Sequence, residues 1–179
     1  SLYFDSHDDK AFMENDGGVE ERKKIRIRVY DDPNSIIRLE VKHKLKGKNL
    51  KENCTLTPDQ FASILKGDLR YDPSFPKALN ILYLEMHLDN STPKVITEYN
   101  RSAFVHPVGD TRITFDQNIS YSTDFDNFLK DKIHVVPLLA QGMHVLEVKY
   151  TQILPEFIAQ TIENGELPLS TFSKYYLSR

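Results

Sequence analysis

Four segments of the chain set charge and hydrocarbon on alternate residues: KIRIRVY (24–30), RLEVKHK (38–44), TRITFD (111–116) and HVLEVKY (144–150). Successive side chains of an extended strand point to opposite faces, so each segment reads as a β-strand with one charged and one apolar side. Ile25, Ile27 and Val29 share a face with Leu39, Val41, Ile113, Phe115, Leu146 and Val148. Arg26, Arg28, Glu40, Lys42 and Lys44 fall on the other, with Arg112, Thr114, Asp116, Glu147 and Lys149. A strand expected over 94–105 adds Arg101 to the charged side. Helices are expected to cover the apolar face.

Further strands are expected at 24–31, 36–45, 111–117, 133–138 and 144–151, and Leu2 and Phe4 read as strand or strand end. DDPN (31–34) and VGD (108–110) are short enough for hairpin loops. The clearest helix is TPDQFASILKG (57–67), with Thr57 and Gln60 as a capping box, Pro58 at the first position and Gly67 as its stop. Others are expected from Pro76 to Leu88, from Pro155 to near Gly165 and from Ser170 through Tyr175, with a turn around Asp124 to Leu129. The acidic patch from Glu14 to Gly18 reads as a solvated loop. These elements give an α+β chain dominated by antiparallel sheet. At 179 residues it is the size of a single domain, 1–179.

Composition narrows the chemistry. A formal charge of −3 and a pI near 6.1 argue against a nucleic-acid binder, so any polyanion site must be local. Cys54 is the only cysteine, which rules out an intrachain disulfide and a cysteine-based zinc site and points to a reducing, cytoplasmic setting. No run is long enough for a membrane span, and SLYFDSHDD lacks the regions of a signal peptide. None of the six histidines shows a metal-ligand spacing. The tyrosines at 83, 99, 121 and 175 read as packing residues.

Taken singly, a charged strand face belongs in water. Several such strands in succession allow a second solution, a sheet closed on itself with a polar, ligand-holding interior. Periodicity does not choose between them. The residue types favour phosphate: arginine offers a planar fork, lysine a point charge, and the repeated Glu-x-Lys units (Glu40/Lys42, Glu147/Lys149) a hard oxygen ligand for a divalent metal.

KIRIRVY, RLEVKHK, EYNRSAF (98–104), TRITFD, HVLEVKY and FSKYY (172–176) occur in an order and spacing that resembles the VTC domain. This is the polyphosphate-polymerase domain first known from the yeast vacuolar transporter chaperone and found in many bacterial proteins; this chain reads as a bacterial member. The resemblance implies the triphosphate tunnel fold, an eight-stranded antiparallel β-barrel with helices packed outside. It places the family's first strand before Ser1, so the chain is expected to be truncated at its N-terminus, with that strand missing and an open seam. A swapped or neighbouring strand would then fill the seam in an oligomer.

By the same resemblance Arg26, Arg28, Lys42, Arg101 and Arg112 face phosphate, with Lys174 on a C-terminal helix and Lys149 as further phosphate contacts. Glu147, with Glu40, would hold Mn²⁺ or Mg²⁺. The implied reaction transfers the γ-phosphoryl group of ATP to a polyphosphate chain, leaving room for a membrane-protein partner encoded elsewhere. A triphosphatase of the same superfamily and a non-catalytic polyphosphate-binding module are the alternatives. Replacing Arg26 or Arg28 is expected to weaken polyphosphate binding more than folding.

Overall fold

A computed structural model describes residues 1–30, 36–130, 132–165, 167 and 169–179. The alternating segments form an eight-stranded antiparallel sheet: β1 (Leu2–Asp5), β2 (Arg22–Arg28), β3 (Arg38–Leu45), β4 (Lys48–Thr55), β5 (Thr92–His106), β6 (Thr111–Ser122), β7 (Val136–Pro137) and β8 (Val145–Lys149). Its order is β4-β3-β2-β1-β5-β6-β7. β8 also pairs with β6, along Arg112–Asp116, while β7 takes Ser120 and Tyr121. The expected α+β class and antiparallel sheet hold. The barrel does not close: among the described residues no pairing joins β4 to β7 or β8. β1 pairs with β5 only from Thr92 to Ile96, so the distal part of β5 pairs with β6 alone. The expected loop DDPN lies outside the described residues.

Among the described residues five α-helices accompany the sheet: α1 (Lys10–Asp16), α2 (Pro58–Lys66), α3 (Lys77–Leu88), α4 (Glu156–Asn164) and α5 (Lys174–Leu177). The α2 boundaries follow from sequence chemistry. The Gln60 backbone N–H donates to Thr57 Oγ1 at 3.1 Å, the Thr57 N–H donates to Gln60 Oε1 at 3.0 Å, and Gly67 ends the helix at φ 73°. The VGD connection is a short 3-10 turn. Gly109 is required there, because a Cβ would fall 2.1 Å from the Ile153 carbonyl oxygen. α1 takes in Glu14 to Asp16 of the patch expected to be loop, and Gly17 and Gly18 follow it as an exposed turn. It has no side-chain cap of its own, but its Ala11 and Phe12 N–H groups donate to the buried carboxylate of Asp5 at 2.8 and 2.9 Å.

The main core lies where the apolar sheet face meets α2 and α3: Ile25, Ile27, Leu39 and Val41 pack with Phe61, Ile64, Leu79 and Leu82. Burying each of these side chains contributes about 1.5–3 kcal/mol. α2 and α3 cover only this half, and α4 reaches the far end of β5 through Phe157 against His106. On the β5–β6–β8 side, Phe104 and Phe115 remain 59% and 40% exposed, so the expectation that helices cover the whole apolar face fails there. The charged face is therefore backed on one side by a helix-covered core and extended on the other by a three-strand ribbon.

Candidate functional site

Two buried carboxylates organise the charged face. On the β2–β3 side, Arg26 and Glu40 are direct cross-strand partners. Nε and Nη2 of Arg26 donate to Glu40 Oε2 at 2.9 and 2.7 Å, and Nη1 donates to the Tyr3 hydroxyl at 3.2 Å. Lys51 from β4 meets the other Glu40 oxygen at 2.7 Å, and Arg28 stands 3.9 Å from Oε2. Glu40 is 2% exposed. Burial would raise its carboxyl, but the hydrogen bond from Lys51 and the charge of Arg26 lower it to about 2. Burial likewise opposes the charge on Arg26, and Tyr3 and Glu40 reverse that and hold it above the ordinary arginine value.

On the other side, Arg101 and Asp116 are again direct cross-strand partners, between β5 and β6. Nε and Nη2 of Arg101 each donate to one Asp116 oxygen at 2.6 Å. Lys174, at the start of α5, reaches Asp116 Oδ2 at 2.5 Å. Asp116 is 1% exposed; burial would raise it, and the bonds from Arg101 and Lys174 hold it below the usual carboxylate range. α5 is fixed by the Tyr175 hydroxyl, which donates to Asp5 Oδ2, and by the stacking of Tyr175 on Tyr3. Glu147 lies next in line, 41% exposed, with Lys149 at 2.9 Å and Arg101 at 4.0 Å. Burial acts to raise Glu147, and Lys149 more than offsets it.

Tyr99 joins the two groups. Arg28 Nη2 donates to its hydroxyl at 3.4 Å, while Arg101 and Lys174 lie 5.1 and 4.6 Å from its ring centroid. Lys42 occupies the same face on β3. Desolvation first, then the charges of Arg26, Lys149 and Lys51, bring its ammonium down to about 8 despite partial relief from Glu40. Lys24 falls to about 8 by desolvation and the neighbouring Arg22, Lys42 and Arg26. That β8's Lys149 acts on β3's Lys42 means the sheet is curled, its charged side concave.

The expected site residues thus fall into one concave surface, with one outlier. Arg112 is exposed, in register with Lys149, and its side chain makes no ion pair or hydrogen bond among the described residues. Glu40, expected beside a metal, has its oxygens engaged by Arg26 and Lys51. No cluster of three or more His, Cys, Asp or Glu side chains suited to a metal occurs among the described residues. Tyr99 sits among cations rather than in a packed core, and Asp116 and Lys51 have a part that strand alternation alone did not reveal. The signal for Asp116 was available in TRITFD, on the charged face opposite Arg101.

The whole chain, residues 1–179, matches the family described as the VTC domain. The chain belongs to the VTC domain family. Comparison with curated proteins finds no significant match. None of the described helices is long and apolar enough to cross a membrane.

Proposed function

We propose that this VTC domain binds a polyphosphate chain along the concave face and transfers the γ-phosphoryl group of ATP to its end. The observation that carries this reading is the convergence of Arg26, Arg28, Lys42, Arg101, Lys149 and Lys174 on one curled surface, drawn from β2, β3, β5, β8 and α5. A row of cations of this length suits a linear polyanion better than a single phosphate. Closure into a tunnel would require a further extended segment along the free edge of distal β5, and we place the reaction inside such a closed state.

Phosphoryl transfer needs in-line positioning and neutralisation of oxygen charge more than covalent help. A terminal oxygen of the polyphosphate chain forms the new bond to the γ-phosphorus, the bond to the β–γ bridging oxygen breaks, and ADP leaves. Arg26, Arg28 and Lys42 bind and orient one set of phosphates, with Arg101, Lys149 and Lys174 on the other and Arg112 beside Lys149 at the rim. Tyr99 meets Arg28 through its hydroxyl and Arg101 and Lys174 through its ring.

Mn²⁺ or Mg²⁺ fits as an ion delivered with its phosphates, since such ions keep waters and substrate oxygens and need only one or two protein carboxylates. Glu147 is the accessible carboxylate, and opposite it in register lies Thr114, whose buried hydroxyl has no partner among the described residues. Glu40 would join only by releasing Lys51 or Arg26. When bound, the ion supplies additional positive charge at the phosphate oxygens.

Incubation of the protein with ATP and Mn²⁺ or Mg²⁺, followed by phosphorus NMR, tests the reading. Long-chain phosphate is expected. Orthophosphate alone would make the protein a triphosphatase, and tripolyphosphate binding without any product would make it a binding module.

A further inference from the structure

Arg101 and Lys174 come from elements far apart in the chain, and one side chain sets the distance between them. Asp116 takes the Nε and Nη2 hydrogens of Arg101 on its two oxygens, each at 2.6 Å, and the Lys174 ammonium at 2.5 Å. A guanidinium has five N–H groups. Held by that edge, Arg101 keeps its Nη1 hydrogens and one Nη2 hydrogen for another acceptor. Its side chain is still 25% exposed, although the carboxylate behind it is 1% exposed. Arg26 is held by the same edge, by its own cross-strand partner Glu40. The arrangement recurs on two strand pairs and so is not an accident of one rotamer.

We propose that Asp116 is a positioning residue that turns Arg101 and Lys174 into one two-pronged phosphate seat, a role that rests on the polyphosphate reading above. Its effect runs against simple electrostatics. Asp116 carries negative charge close to a polyanion site, so charge alone predicts that its removal strengthens anion binding. Positioning predicts the opposite, because Arg101 and Lys174 would separate and Lys174 would lose the tie between α5 and β6. The Lys174 ammonium and the Arg101 guanidinium would then also relax independently over the Tyr99 ring.

The test is tripolyphosphate binding by calorimetry, comparing the parent protein with Asp116→Asn, Asp116→Glu and Arg101→Lys, each checked for folding by thermal melt. Expected are about tenfold weaker binding for the Asn variant and recovery of most of that loss by Glu, which restores the charge and both acceptor oxygens. If the Asn variant does not fold, Arg101→Lys decides: it keeps the charge and loses the side-on fork, and is expected to bind about tenfold more weakly. Parent-like or tighter binding by a folded Asn variant overturns the inference alone, as does parent-like binding by Arg101→Lys. A parent protein that binds no tripolyphosphate overturns the functional reading and this inference with it.

Discussion

The charge of Lys149 on β8 is near enough to oppose that of Lys42 on β3, although β2, β1, β5 and β6 lie between their strands in the hydrogen-bonding order. Like charges about 8 Å apart at an effective dielectric near 20 repel by roughly 2 kcal/mol. An empty face of this kind is uncomfortable, and the chain answers it in two ways. Glu40 and Asp116 neutralise the arginines from beneath, and Lys42 and Lys24 become easier to deprotonate.

The second response gives a pH dependence. Lys42 and Lys24 are lowered from 10.5 to about 8, chiefly by desolvation and then by neighbouring cations. Between about pH 8 and 10.5 the unfolded chain holds more protons than the folded one, so these lysines make the unliganded fold relatively more stable as pH rises through that window. Anion affinity moves the other way. Loss of one charge-assisted contact amounts to about tenfold, so tripolyphosphate affinity should fall by about that factor between pH 7 and 9.5. Calorimetric titration at constant ionic strength checks it; a flat profile would remove Lys42 from the contact set.

Arg26 and Arg28 separate more sharply than their shared motif suggests. Arg26 makes two close bonds to a carboxylate that is 2% exposed, whereas Arg28 stands 3.9 Å from it and reaches Tyr99 at 3.4 Å. Arg26→Ala leaves Glu40 with Lys51 as its close partner and should cost about 2–4 kcal/mol of stability. Arg28→Ala should cost under about 1 kcal/mol, with its main effect on anion binding. Urea unfolding beside binding measurements distinguishes them, and equal stability losses would contradict the assignment. The sequence expectation, that either substitution harms binding more than folding, therefore narrows to Arg28.

Acid should unfold the protein through its buried carboxylates. Glu40 titrates near 2 when folded rather than near its ordinary 4.5. Its contribution is complete above about pH 4.5 and is lost as pH falls through about 2, on the order of 3 kcal/mol in all. Asp116 is shifted in the same direction. Glu40→Gln should reduce stability at pH 7 and flatten its dependence between pH 5 and 2, as read from urea midpoints across that range. An unchanged slope would mean that other groups govern acid unfolding.

The strands with one charged and one apolar face were legible because burial of the apolar side imposes the period of two. β4 was not, since KNLKENCT lies at an edge, exposed over most of its length, and shows polar residues on both faces. The turn before it, with Lys46 and Gly47 at φ 47° and 73°, lacks the usual Asn-Gly signature. α1 escaped for a different reason: it buries no residue, and its N–H groups are satisfied by Asp5 in β1 rather than by a local cap. The strand expected over 133–138 shrank to Val136–Pro137, where a proline N cannot donate to a ladder. Strand alternation placed most of the cations of the concave face on one side of the sheet. Asp116 reaching Lys174 depends on how the chain returns after β8, and no local pattern encodes that.

Ligand should relieve the crowding with which Lys42 and Lys149 confront each other. Tripolyphosphate at about 100 times its Kd should add about 2.7 kcal/mol by mass action. For a chain of this size that corresponds to a rise in melting temperature of roughly 5–10 °C. The shift should shrink as salt is raised from 50 mM toward 0.5 M, because exposed cations such as Lys149 and Arg112 are screened more readily than the buried pairs beneath them. A scan with tripolyphosphate, with sulfate at matched ionic strength as control, reads both effects. Equal stabilisation by sulfate would reduce the concave face to a general anion surface, and no shift at low salt would remove its claim to hold phosphate at all.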